Sequence, residues 1–120
     1  MNERIRWISY KGKQIHYSDY RGLNEEEFVE EGNLGFEVVK KNLRPNMLSL
    51  VDFTDAIVGT EGVAIQRKIA DMVKPYSKKT AVLGITGIKK SLLVSINYLT
   101  GVGARPFDDE TQAKEWLVKD

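Results

Sequence analysis

The sequence predicts an α/β domain with a mixed sheet and helices packed about it. Two stretches carry that reading. Ala81-Val82-Leu83-Gly84-Ile85 is a buried-strand run that turns through Thr86-Gly87 into an amphipathic helical period, and Met47-Leu48-Ser49-Leu50-Val51-Asp52-Phe53 gives way, after residues 54–60, to a second one. Strands this apolar need helical cover on both faces. The third observation is composition: 120 residues, 42% hydrophobic and 29% charged, suit one hydrophobic core and argue against a disordered chain.

Taken in order, Arg4 to Tyr10 and Lys13 to Tyr20 are rich in Ile, Trp and Tyr and are separated by Lys11-Gly12, the pattern of a tight β-hairpin. Asn24 is placed to cap a helix whose first turn, Glu25-Glu26-Glu27, suits the positive end of the helix dipole. Phe28, Gly32, Phe36, Val39 and Leu43 form its apolar stripe, and Pro45 enforces the stop. Gly32 and Gly35 each cost about 1 kcal/mol relative to Ala inside a helix. The pair demands a close backbone contact or an interruption, and is read as a bend or break near Asn33.

After the strand at 47–53, a second helix starts from Thr60 as N-cap and ends at Pro75, with Ile65, Ile69, Met72, Val73 and Tyr76 on one face. A third helix buries Ile88, Leu92, Ile96 and Leu99 and stops at Gly101, where a left-handed residue is easily accommodated. Arg105-Pro106-Phe107 is a short edge strand or turn. Asp108 or Asp109 caps a last helix, with Gln112 three residues after Asp109 as in a capping box and Ala113, Trp116 and Leu117 as the docking face. Residues 1–120 therefore read as one domain, β-β-α-β-α-β-α-(β)-α, without repeats or linkers.

Several classes of chemistry are disfavoured by what the chain contains. There is no cysteine, which removes disulfides, thiolate metal sites and thiol nucleophiles. The start, Met1-Asn2-Glu3-Arg4-Ile5-Arg6, lacks the apolar run of a signal peptide, and no run of about 18 apolar residues suggests a membrane span. The expectation is a cytoplasmic protein. Residues 25–37 carry six glutamates and no base, while residues 67–90 carry seven Lys or Arg against Asp71 alone. That asymmetry can steer an acidic partner or an anionic ligand within a screening length of about 8 Å. No aromatic residues are interleaved with these lysines, so nucleic acid is not an expected partner. His16, the only histidine, reads as a surface strand residue. Asp52 and Asp55 read as capping and loop carboxylates rather than an acid–base pair. No catalytic residue, metal cluster or cofactor is expected, and the chain reads as non-enzymatic.

The residues also carry a resemblance. The Trp7-Ile8-Ser9-Tyr10-Lys11-Gly12-Lys13 hairpin, Asp19-Tyr20-Arg21-Gly22-Leu23, Val51-Asp52-Phe53-Thr54, Lys74-Pro75-Tyr76, Ala81 to Lys90 and Pro106-Phe107-Asp108 to Leu117 together resemble the STAS-like family. This is the domain of anti-sigma-factor antagonists and sulfate-transporter tails, and the likeness is to its small stand-alone SpoIIAA-like bacterial branch. The resemblance implies a single STAS-like domain: a mixed sheet, an N-terminal β-hairpin and about four helices. In the antagonist branch, the loop after the central strand and the following helix start contact a kinase-like partner, which phosphorylates a serine there. The comparable position in this chain is Thr60-Glu61-Gly62, with glutamate where that serine would stand. Thr54, Asp55, Thr60 and Glu61 are therefore the expected partner-binding residues, and Thr60 and Thr54 the candidate phosphorylation sites.

A second candidate site is the strand-to-helix corner Gly84, Thr86, Gly87, Lys89 and Lys90. Free backbone N–H groups at a helix start attract anions, and cations in a first turn oppose the dipole unless an anion relieves them. The expected function is a regulatory or protein-interaction domain. The alternative is binding of a small ligand (lipid, nucleotide or another anionic or apolar molecule) between sheet and helices near Gly84 to Lys90. Nucleotides and lipids are associated with related STAS-like domains. A homodimer through outward Val94 and Tyr98 is a third arrangement.

Overall fold

In the computed structural model, which describes residues 3–120, the hairpin pairs β1 (Ile5–Tyr10) with β2 (Lys13–Asp19) across a turn in which Lys11 and Gly12 both have positive φ. The chain continues through α1 (Glu25–Asn42), β3 (Met47–Asp52), α2 (Thr60–Val73), β4 (Ser77–Leu83), α3 (Lys89–Thr100), β5 (Arg105–Phe107) and α4 (Glu110–Val118). The five strands form one sheet in the order β1-β2-β3-β4-β5, antiparallel at β1–β2 and parallel beyond. Each crossover advances one strand in the same direction. Right-handed crossovers of that kind place α1, α2 and α3 on one face, and α4 closes the other.

On the α4 face, Ile15, Tyr17, Leu48, Leu50, Ala81 and Leu83 pack against Ala113 and Leu117. Burying a leucine as completely as Leu117 stabilises by about 1.5–3 kcal/mol. On the opposite face Ile5, Tyr20 and Val51 meet Phe28 and Val39 of α1 and Val73 of α2. Asn24, Asp109 and Gly101 cap where the sequence predicts; the reciprocal capping box, expected at Asp109 and Gln112, is instead formed by Asn24 and Glu27, while Asp109 accepts from the Gln112 N–H, and Gly101 ends α3 in the left-handed region.

Three expectations are corrected. First, α1 runs unbroken through Gly32, Asn33 and Gly35. Its glycines are points of contact: a Cβ at Gly32 would stand 2.7 Å from Ile65 Cγ2, and one at Gly35 2.5 Å from Ile5 Cδ1 and 2.9 Å from the Tyr20 hydroxyl. Gly62 of α2 answers from the other side, where a Cβ would meet the Phe28 ring at 2.7 Å. Close packing across this crossing offsets the poor helix propensity of glycine. Second, Gly59 rather than Thr60 is the N-cap of α2; a side chain there would strike the Glu25 carboxyl at 2.6 Å. Third, α3 does not bury the expected stripe. Ile88 is 77% and Leu99 50% exposed, and Leu92, Leu93 and Ile96 face inward. Apolar residues surround most of this helix, so periodicity alone selects no face.

The close crossing gives a direct expectation. Gly35→Ala and Gly62→Ala should each lower stability by about 1–3 kcal/mol through overpacking, read as a lower urea midpoint. Stabilisation by about 1 kcal/mol, the gain expected from helix propensity alone, would contradict the contact.

Candidate functional site

The parallel register places His16 beside Ser49 and Ser49 beside Thr80, so a row of polar side chains crosses the centre of the sheet on the face covered by α2 and α3. Ser18 follows one step along β2, and all four residues are buried. Short side chains of this kind do not reach the helices above them. Ile69, Ala70 and Val73 of α2, Leu93 and Ile96 of α3, and Val102 and Ala104 beyond it roof a cavity of about 80 Å³ over this polar floor. An adjoining hollow of about 40 Å³ shares Phe53, Gln66, Leu93 and Ile96 with it and runs toward Val58, Val63, Ile85 and Lys89.

Among the described residues, two buried side-chain atoms have no hydrogen-bond partner: His16 Nε2 and Gln66 Nε2. Both residues line the cavity. Leaving such a group unsatisfied costs about 1–3 kcal/mol. The Tyr20 hydroxyl beside Gln66 can engage at most one of the two amide N–H groups. His16 is held by the edge of Trp7, whose ring lies 4.9 Å away at 83°. The Trp7 indole N–H donates to Asn42 Oδ1 at 3.2 Å, and the Arg44 guanidinium stacks 3.7 Å from the centroid of the Trp7 ring. Burial, helped by the Arg44 charge, pushes the His16 pKa down to about 4. The imidazole is therefore neutral near pH 7, with one donor and one acceptor nitrogen.

The roof is lightly attached. Among the described residues no side chain of α3 is fully buried. Gly84 and Gly87 precede the helix and Gly101 and Gly103 follow it, all with positive φ. Gly84 is also pressed against the backbone of Thr54, where any Cβ would collide. This contact sets the 53–59 loop beside the start of the α3 connection.

The residues singled out from sequence fall around the chamber rather than in it. Thr54, Asp55, Thr60 and Glu61 are all exposed. Thr54 Oγ1 donates to Asp52 Oδ1 at 2.6 Å and its backbone N–H donates to the same oxygen at 2.9 Å, while Asp55 sits at φ 59°. Asp52 is thus a buried turn-capping carboxylate, separate from the exposed Asp55. It neighbours Asp19, which Arg21 grips at 2.9 Å. Thr60 and Glu61 form the first turn of α2. At the other corner, the backbone N–H groups of Lys89, Lys90 and Ser91 donate to Thr86, Gly87 and Ile88 carbonyls at 3.1 Å, so those first-turn donors are already engaged. Lys89 Nζ donates to the Phe53 carbonyl at 3.0 Å and closes the far end of the adjoining hollow. Val94 and Tyr98 are exposed on the outside of α3.

His16 was expected on the surface and is 2% exposed. The signal was present: polar residues at 16, 18, 49 and 80 alternate with the apolar Ile15, Tyr17, Leu48, Leu50 and Ala81 of the opposite face. Gln66, one residue after Ile65 on α2, offered no comparable cue.

No family model matches the chain, and no curated protein sequence matches it. Among solved structures it is similar to an uncharacterized protein from the DUF3478 family with a SpoIIAA-like fold from Shewanella loihica PV-4. The TM-score is 0.61 at 16% identity, covering 94% of this chain and 91% of that one. At that identity the likeness is one of fold, and it agrees with the resemblance carried by the sequence motifs. Among the described residues no helix is long and apolar enough to cross a membrane.

The buried imidazole carries a pH signature. The native His16 takes up a proton only near pH 4, whereas the unfolded one does so near 6.5. Its contribution to stability is intact above about pH 6.5 and is lost as pH falls toward about 4, at roughly 1.4 kcal/mol per unit. Carboxylates with lowered pKa values, such as Asp19, act at lower pH and are common to both proteins compared. His16→Gln should flatten the decline of the urea midpoint between pH 6.5 and 4; an unchanged slope would mean that the imidazole is not buried and neutral.

Proposed function

We propose that this domain is a non-enzymatic binding module that takes up a small, mainly apolar molecule between the sheet and the α2–α3 layer. The observation that carries this reading is the pair of unpartnered polar groups, His16 Nε2 and Gln66 Nε2, on two residues that line the cavity between its apolar roof and its polar floor. A ligand that hydrogen-bonds to them would remove a cost the empty fold bears. The cavity is smaller than a typical ligand pocket of about 300 Å³ or more, so uptake requires the lightly attached α3 to yield. A binding role rather than catalysis is supported by the chamber's hydroxyls: none is bonded to His16 Nε2, and Thr80 pairs with Ser77 at 3.1 Å, so no nucleophile is activated by a base.

A partner-binding reading has its own observation. Ile57 and Ile88 are 58% and 77% exposed in the loops that meet at Gly84, beside Thr54, Asp55, Thr60 and Glu61. The two readings combine as a ligand-responsive interaction domain of regulatory type, with Thr60 or Thr54 as the residue a kinase would modify.

Binding is tested with the neutral fluorophore N-phenyl-1-naphthylamine. Saturable enhancement is expected, with affinity reduced at least tenfold in Ile96→Trp, which plugs the chamber, and unchanged in Val94→Ser, which alters only the outer face. No enhancement, or equal binding by the plugged variant, would overturn the proposal.

A further inference from the structure

We infer that the molecule taken up in this chamber is an uncharged amphiphile whose buried end is a hydroxyl, set against His16 and Gln66, and not a carboxylate or phosphate. The inference rests on the ligand-binding reading above and specifies the chemistry of its occupant. A neutral imidazole presents one donor and one acceptor, and the Gln66 amide presents both kinds of group. A hydroxyl donates once and accepts twice, so it satisfies Nε2 in either tautomer and still accepts from the amide. Ser49, in register beside His16, and Thr80, in register beside Ser49, extend the same neutral hydroxyl-bearing surface.

An anion is disfavoured by its charge. A carboxylate could accept from the Gln66 amide and from an Nε2–H, but it would bring its charge into a space where Lys89 is the one cationic side chain on either lining. Lys89 lies at the far end of the adjoining hollow and already donates to the Phe53 carbonyl. Arg44, the other nearby cation, is stacked on Trp7 and lines neither space. Burying an unpaired charge is far more costly than burying a hydroxyl that keeps its hydrogen bonds. The roof supplied by Ile69, Val73, Leu93 and Ile96 suits a hydrocarbon tail. From a head at His16, that tail would run past Gln66 into the adjoining hollow toward Ile85.

The test compares 1-octanol with sodium octanoate at pH 7.5, titrated against the full chain. Displacement of N-phenyl-1-naphthylamine and the NMR shift of the Gln66 side-chain amide are the readouts. Octanol is expected to bind at least tenfold tighter than octanoate and to move the Gln66 resonance. That preference should fall below threefold in His16→Leu, and in Gln66→Met should the first variant not fold. Equal affinity for octanoate, lost in Lys89→Met, would overturn the hydroxyl assignment while leaving the chamber a ligand site. An octanol preference that survives in Gln66→Met with the variant folded would also overturn it. Failure of both compounds to displace a fluorophore that Ile96→Trp excludes would overturn this inference alone, whereas failure of the fluorophore itself to bind would remove the underlying reading.

Discussion

The register that sets His16, Ser49 and Thr80 side by side beneath α2 and α3 is the constraint on which the rest of the architecture turns. A central parallel strand is covered on both faces and is ordinarily apolar throughout. In this sheet only the α4 face obeys that rule, with Ile15, Leu50 and Ala81 fully enclosed. The other face places short polar side chains where long apolar ones would fill the gap to the helices. Interiors normally pack with few voids. The unfilled space and the unpaired His16 nitrogen both follow from polar residues on this face of the sheet.

The two faces of the sheet are packed differently. Rigidity comes from the α4 layer and from the α1–α2 crossing, where Gly32, Gly35 and Gly62 let backbone and side chain approach more closely than any alanine would allow. With those contacts made, α3 is left to contribute a roof rather than a core. Its inward residues line the cavity, its outward residues are exposed, and it is flanked by left-handed glycines. Elements with few buried contacts open at lower free energy than the core, so α3 is the element expected to yield first. The contact between Gly84 and the Thr54 backbone then joins the start of the α3 connection to the exposed loop at residues 54–62.

Much of the fold was legible in the sequence because its signals were local. The Lys11-Gly12 turn, the Asn24 cap, the Asp109 cap and the Gly101 stop each depend on neighbours within a few residues, and each is present. The element order and the SpoIIAA-like resemblance followed from the same local grammar. The misjudged features were tertiary. Whether Gly32 and Gly35 break a helix or dock one depends on Ile65, Ile5 and Tyr20, which are distant in sequence. The orientation of α3 was ambiguous because its apolar residues are not confined to one side. His16 was misplaced because a lone polar residue in a strand reads as surface until its cross-strand neighbours, Ser49 and Thr80, are known. Gln66 escaped notice because a glutamine on a helix is ordinary unless its amide turns inward. The candidate site was therefore legible only as the region near Gly84 to Lys90, of which Ile85 and Lys89 line the adjoining hollow, while the polar floor of the chamber required the register.

The most direct test of the central claim is a crystal structure, at a resolution that distinguishes bound small molecules, of the protein purified without denaturation. The account predicts non-protein density between the sheet and α3, with an atom within about 3.2 Å of His16 Nε2 or Gln66 Nε2. Leu93 and Ile96 packed directly onto Ser49 and Thr80, with His16 turned to another partner and no space between the layers, would contradict it.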